Sequence, residues 1–197
     1  SKCNFKITMT KIAFVFPGQG SQAIGMLNGF SENPVVQDTL AQASAVLQFD
    51  MATLIAHGPK EDLDLTTNTQ PVMLSAAVAC YRAWIAAGGV APTFLAGHSL
   101  GEYSALVAAE VVAFEDALPL VRFRAQAMQD AVPVGVGAMA AILGLSDAEV
   151  LEACAQASQG EVVEAVNFNA PAQVVIAGAK AAIDRACVIA KEMGAKR

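Results

Sequence analysis

Gly97-His98-Ser99-Leu100-Gly101-Glu102-Tyr103 sets a serine between two glycines. A short apolar run, Thr93-Phe94-Leu95-Ala96, leads into it, and an alanine-rich amphipathic stretch from Ser104 to Val112 leads out. This is the pattern of a strand, a tight turn and a helix, with a serine at the turn between two glycines. In that setting G-x-S-x-G reads as a nucleophile elbow. The turn is sharp, side chains at its flanks would clash, and Ser99 is lifted out with its hydroxyl exposed. The backbone N–H of Leu100, at the free N-terminus of the next helix, points at any oxyanion formed there. The same letters also fit a capping box, Ser99-x-x-Glu102, which requires no chemistry.

Upstream, Lys11 to Phe16 is a continuous apolar run of strand length, as in a buried parallel strand. It ends in Pro17-Gly18-Gln19-Gly20-Ser21-Gln22, which lacks both the dinucleotide and the Walker spacing. What this loop offers is an amide side chain, Gln19, at the carboxyl end of a strand, where open α/β sheets bind ligands. Val35 to Leu47 has helical spacing, and a short helix follows from Met51 to a stop at His57-Gly58-Pro59. Lys60 to Gln70 reads as a polar loop, with Pro71 opening a long apolar helix through Ala87.

Past the elbow, Phe114 to Val132 reads as a helix on which Arg124, Ala127, Met128 and Ala131 share one face. A guanidinium on an apolar face is either paired, awaiting an anion, or snorkelling to water. Met128 is a core position or a pocket wall. At Pro133-Val134-Gly135 the composition shifts, which sets a domain boundary: residues 9–134, then 135–197. The second segment reads strand (Ala138–Leu143), helix (Ser146–Ala157, capping box Ser146/Glu149), strand (Val162–Phe168), turn (Asn169-Ala170-Pro171), strand (Gln173–Ala177) and helix (Lys180–Met193). That order, βαββα, is a ferredoxin-like unit with its last strand missing. Residues 1–8 show no pattern and read as leader or appended residues before a start at Met9.

With 197 residues, 55% of them hydrophobic, the chain can bury a sizeable core. A net charge of −6 argues against nucleic acid as a partner. The longest apolar run, Trp84 to Leu100, is interrupted by Gly88, Gly89, Pro92 and Gly97, so no membrane span is expected. The four cysteines, Cys3, Cys80, Cys154 and Cys187, have no paired spacing and read as free thiols of a reducing compartment, the cytoplasm. No metal-ligand spacing is present. A serine nucleophile needs a base, and the two histidines are poor candidates. His57 belongs to a helix stop, and His98 is adjacent to Ser99 on a strand end, where neighbouring side chains diverge.

Phe16–Gln22, Gly97–Tyr103 and Arg124 with Met128-Gln129 together resemble the malonyl-CoA:acyl carrier protein transacylases of bacterial type II fatty acid synthesis. Gly137-Ala138-Met139-Ala140-Ala141-Ile142 and Asn167-Phe168-Asn169-Ala170-Pro171 are similar to the same family, and the match runs in order from Met9 to Arg197. The resemblance implies an α/β-hydrolase-like domain with a parallel sheet, joined to a ferredoxin-like subdomain, and covers about the N-terminal two thirds of the family's pattern. It implies acyl transfer in two steps: Ser99 takes the malonyl group from coenzyme A and passes it to the phosphopantetheine thiol of acyl carrier protein. Coenzyme A thioester is a substrate there, and no cofactor is tightly bound. Gln19 and Leu100 would form the oxyanion hole, Arg124 would grip the malonyl carboxylate, and Met128 would line the acyl pocket. The family's histidine base and the glutamine that orients it fall beyond Arg197, so a polypeptide ending there is expected to be inactive. Two other readings compete: a serine esterase or thioesterase, and a non-catalytic module that binds carrier protein. Basic residues gather near the end of the chain (Lys180, Arg185, Lys191, Lys196, Arg197) and would steer an acidic carrier.

Overall fold

The computed structural model describes residues 11–133 and 135–197; the expected start at Met9, the leader residues and Cys3 lie outside the described residues. Strand β1 (Ala13–Phe16) pairs in parallel with β2 (Phe94–Gly97), and Phe16 stands opposite Gly97. Both strands therefore end at one level, which brings the loop after β1 beside the elbow after β2.

Between them, α1 (Pro34–Leu47) starts at Asn33, whose side-chain oxygen accepts from the Val35 and Val36 N–H groups. Helix α2 (Met51–His57) starts at Asp50, which accepts from Thr53, and ends at Gly58 with φ +73°. The expected polar loop from Lys60 to Gln70 is instead two helices. Residues Lys60–Asp64 form α3, and α4 runs Thr66–Ala86 with Pro71 inside it. Side chains close the break between them. The Thr69 hydroxyl, fully buried, donates to the Leu63 carbonyl at 2.6 Å, and Asn68 Nδ2 donates to the Asp62 carbonyl. Five residues of α4 thus precede the proline, which tolerates a helical position because its lost N–H removes only one bond. The apolar run of α4 is buried or half-buried through Ala83, whereas Trp84 and Ile85 at its end are exposed. Val72, Met73, Leu74, Val78 and Ala79 are at most 3% exposed and join α1, α2 and later helices in the main core.

After the elbow come α5 (Leu100–Ala108) and α6 (Phe114–Ala131). Contacts divide the chain into two compact units between Gln129 and Asp130, within the last turn of α6. The second unit holds β3 (Gly137–Leu143), α7 (Asp147–Ser158), β4 (Val163–Ala170), β5 (Gln173–Ala179) and α8 (Lys180–Glu192). Its antiparallel sheet has the order β3-β5-β4, with β5 in the centre. The expected turn at Asn169-Ala170-Pro171 lies two residues later. Register shifts along β4 let it keep pairing through Ala170, and the reversal falls on Pro171-Ala172, where Ala172 takes φ +59°. The Ser146/Glu149 capping box forms as read. The chain's last residues reach the free edge of β3: Lys196 N–H donates to the Leu143 carbonyl, and Leu143 N–H to that of Arg197.

The basic cluster is less free than its composition suggests. Lys180 pairs with Asp184, and Arg185 donates to the Ala157 and Ser158 carbonyls and to Glu161, closing the C-terminus of α7. Three of the cysteines are free thiols; burial pushes Cys80, Cys154 and Cys187 upward in pKa. No helix among the described residues is long and apolar enough to cross a membrane. The result is a mixed α/β protein with a parallel pair in one unit and a small antiparallel sheet in the other.

Candidate active site

Two glycines let the elbow and the β1 loop touch backbone to backbone. A Cβ on Gly101 would lie 2.1 Å from the Phe16 carbonyl oxygen, and one on Gly97 would lie 2.0 Å from the Gly101 backbone. Between them Ser99 adopts φ +53°, ψ −114°, a region a serine occupies only when its surroundings force it. Strain of this kind is what a nucleophile elbow shows.

Ser99 stands at the cap position of α5, yet its side chain makes no capping hydrogen bond, so the capping-box alternative does not form. The Ser99 hydroxyl oxygen accepts instead from Arg124 Nη2 at 3.1 Å. The elbow is closed by Gly101 N–H to the His98 carbonyl and Glu102 N–H to the Ser99 carbonyl. Leu100 opens α5, so its N–H has no helical acceptor and is available beside Ser99.

Arg124 comes from the middle of α6. Its Nη1 donates to Gln70 Oε1 at 2.8 Å, and the guanidinium carbon lies 5.6 Å from the centre of the Tyr103 ring. The neighbouring Arg122 is spent on structure: it donates to the Leu47 carbonyl and faces Phe49. Of the two arginines on this helix, the one that reaches the elbow is Arg124. Met128, one turn on, is 50% exposed, and its sulfur accepts from Gln70 Nε2 at 3.4 Å. It is not a core methionine.

The β1 loop is fastened from the other side. Gln19 Nε2 donates to Thr66 Oγ1 at 3.1 Å. Gln22 accepts from the Gly20 N–H and donates to Asp64. Asp64 also pairs with Lys60, and the Lys60 bond first, then that from Gln22, holds its carboxyl below the usual carboxylate range. The segment expected to be a polar loop is therefore the anchor of the glycine-rich loop.

Ser99, Leu100, Gln19, Arg124 and Met128 thus all belong to the first unit. The elbow, Arg124 and Met128 are linked through Gln70, and Gln19 sits one residue past Gly18, which packs on the His98 carbonyl. Sequence reasoning missed Gln70, Thr66 and Asp64. Neither histidine bonds to Ser99 among the described residues: His57 ends α2, and His98 contributes its carbonyl. No cluster of three or more His, Cys, Asp or Glu side chains among the described residues is arranged to hold a metal ion.

Comparison with known proteins finds relatives of the chain. The profile of the acyl transferase domain matches residues 13–196. The malonyl CoA-acyl carrier protein transacylase of Escherichia coli (strain K12) is 56% identical over 190 residues, which is 96% of this chain and 62% of that protein. The crystal structure of an acyl-carrier-protein S-malonyltransferase from Burkholderia pseudomallei 1710b superposes with a TM-score of 0.93 at 70% identity, covering 95% of this chain and 61% of that one. A malonyl-transacylase in complex with a type II polyketide synthase acyl-carrier protein gives a TM-score of 0.93 at 51% identity, over 95% of this chain and 61% of that one. The chain spans about three fifths of the length of the curated relatives it matches, 62% for the E. coli protein. It belongs to the acyl transferase domain family.

Proposed function

We propose that this chain carries the acyl-binding half of a malonyl transferase site, moving malonyl from coenzyme A to the phosphopantetheine thiol of acyl carrier protein. The observation that carries the reading is the 3.1 Å contact between a strained elbow serine and an arginine. A neutral acyl group gives such an arginine nothing to bind. A malonyl ester on Ser99 would carry its carboxylate carbon three covalent bonds from Oγ, within about 4 Å, in reach of a guanidinium whose Nη2 stands 3.1 Å from that oxygen. The relatives named as malonyl transacylases support the same choice.

In this reading Ser99 Oγ attacks the thioester carbonyl and loses its proton to a general base. Neither His57 nor His98 takes that part, since neither bonds to Oγ among the described residues. Negative charge collects on the former carbonyl oxygen, facing the N–H of Leu100 and a backbone N–H at Gln19; losing one such donor costs about 10²–10³ in rate. The C–S bond then breaks, and coenzyme A leaves as a thiol after taking up the proton. The carrier's thiol attacks the Ser99 ester in the mirror-image step, restoring the serine hydroxyl. Arg124 turns from Ser99 to the malonyl carboxylate, two parallel bonds to a charged acceptor replacing one bond to a neutral hydroxyl. Met128 lines the acyl pocket.

The fold reading follows. Residues 9–134 would be the larger part of an α/β-hydrolase-like domain, supported by the parallel strands and the elbow. Residues 135–197 would be a ferredoxin-like subdomain, supported by the β3-β5-β4 order. The reaction asks for no tightly bound cofactor, and its site is the cytoplasm, where the cysteines stay reduced. The test is a direct one: full-length protein is given labelled malonyl-CoA with holo carrier protein or with water alone. Label passing to the carrier thiol is expected; label released as free malonate at the same rate with and without carrier would favour a thioesterase.

A further inference from the structure

Gln70 is the largest fully buried polar side chain among the described residues. It is 0% exposed, lies in the second turn of α4, and directs its amide at two residues of α6. Arginine has only donors, so the amide oxygen must face Arg124; the amide nitrogen then falls on the thioether of Met128. Its backbone has little freedom, because the preceding Thr69 is locked to the Leu63 and Leu65 carbonyls. One buried amide on a fixed helical turn thus holds both the guanidinium beside Ser99 and the side chain one turn beyond it.

The chemistry of the group matters as much as its place. A carboxylate at this position would neutralise Arg124 permanently and compete with any acidic substrate. An apolar side chain would leave the guanidinium free to swing to water, as long cationic side chains do. An amide oxygen does neither: it fixes one Nη by a hydrogen bond of 2.8 Å and leaves the full positive charge for a ligand. We infer that Gln70 is a positioning residue that aims Arg124 at the acyl group on Ser99, and so sets the preference for carboxylated over neutral acyl groups. This rests on the reading of Arg124 as the carboxylate clamp.

The experiment compares malonyl-CoA with acetyl-CoA as competing donors in one reaction of the full-length protein. The readout is the ratio of the two acyl groups loaded, which does not depend on how much of a variant is folded. Gln70→Glu preserves shape and adds a competing carboxylate; Gln70→Met preserves length and removes the acceptor. Each should lower the malonyl-to-acetyl ratio by about tenfold, the worth of one hydrogen bond to a charged group. In an Arg124→Ala background the neutral Gln70→Met substitution should leave the ratio where Arg124→Ala alone puts it, because the two act as one unit. A ratio equal to wild type in both single variants, or a further fall in the Arg124→Ala background, overturns the inference. If Arg124→Ala itself leaves the ratio unchanged, the clamp reading fails and takes this inference with it.

Discussion

Replacing Arg124 with alanine removes the cation that, among the described residues, reaches the elbow serine, and the structure sets the size of the effect. In the free protein the guanidinium is shared between Gln70 Oε1 and Ser99 Oγ and is only part-buried. A malonyl carboxylate would take two charge-assisted bonds from it, each worth about 1.5–3 kcal/mol. Partial exposure puts each at the lower end, so about 3 kcal/mol of binding is lost, or roughly 150-fold in kcat/KM for malonyl-CoA. Acetyl-CoA has no carboxylate to lose, and its loading should hold or rise. The malonyl-to-acetyl ratio therefore falls by about two orders of magnitude. Gln70 also loses its donor, and an orphaned buried acceptor costs about 1–3 kcal/mol, a drop of several degrees in Tm. The assay is competitive loading with both labelled thioesters, acid quench and quantitation of each acyl-protein, alongside a thermal melt. A malonyl-to-acetyl ratio within about twofold of wild type would refute the reasoning.

Gly101→Ala puts a Cβ 2.1 Å from the Phe16 carbonyl oxygen, so the β1 loop and the elbow must part. A loss of roughly 3 kcal/mol or more in a chemical denaturation series is expected, with loading reduced beyond the loss of folded protein; unchanged stability would mean the two loops are not packed as described. Asp50 caps α2 through the Thr53 N–H and hydroxyl, which hold its carboxyl below its usual 3.8. A carboxyl lowered in the folded state adds stability that is complete above the unfolded value and is lost as pH falls through the folded one. Asp50→Asn keeps a capping oxygen but cannot titrate, so its Tm should decline less than that of wild type between pH 5 and pH 3; parallel curves would contradict this.

The elbow was legible because its chemistry is local. Two glycines, a serine and the change from strand to helix spacing are all written within a few residues, and the backbone strain at Ser99 follows from them. Arg124 was legible as a charge on an apolar face, but only three-dimensional packing separates it from Arg122, whose guanidinium ends on a carbonyl of α1. Gln70 was hidden by a misplaced boundary. Taking Pro71 as the first helical residue left Gln70 in a polar loop, whereas α4 begins at Thr66. With the helix started there, Gln70 falls on one face with Met73, Leu74 and Ala77, and a glutamine on such a face is a buried polar group in search of a partner. The signal against that boundary was side-chain closure by Asn68 and Thr69, which depends on the carbonyls of α3 and has no periodicity. The same segment also anchors Gln19 and Gln22, links between positions far apart in sequence that spacing rules do not reach.

In the proposed reaction Ser99 carries the malonyl group. Full-length protein incubated with malonyl-CoA in the absence of carrier protein, quenched in acid and digested, should yield the peptide containing Ser99 heavier by one malonyl group. Fragmentation should place that group on Ser99, and adding holo carrier protein before the quench should remove it. Malonyl found on another residue, or transfer to carrier at full rate by a Ser99→Ala variant, would contradict the account.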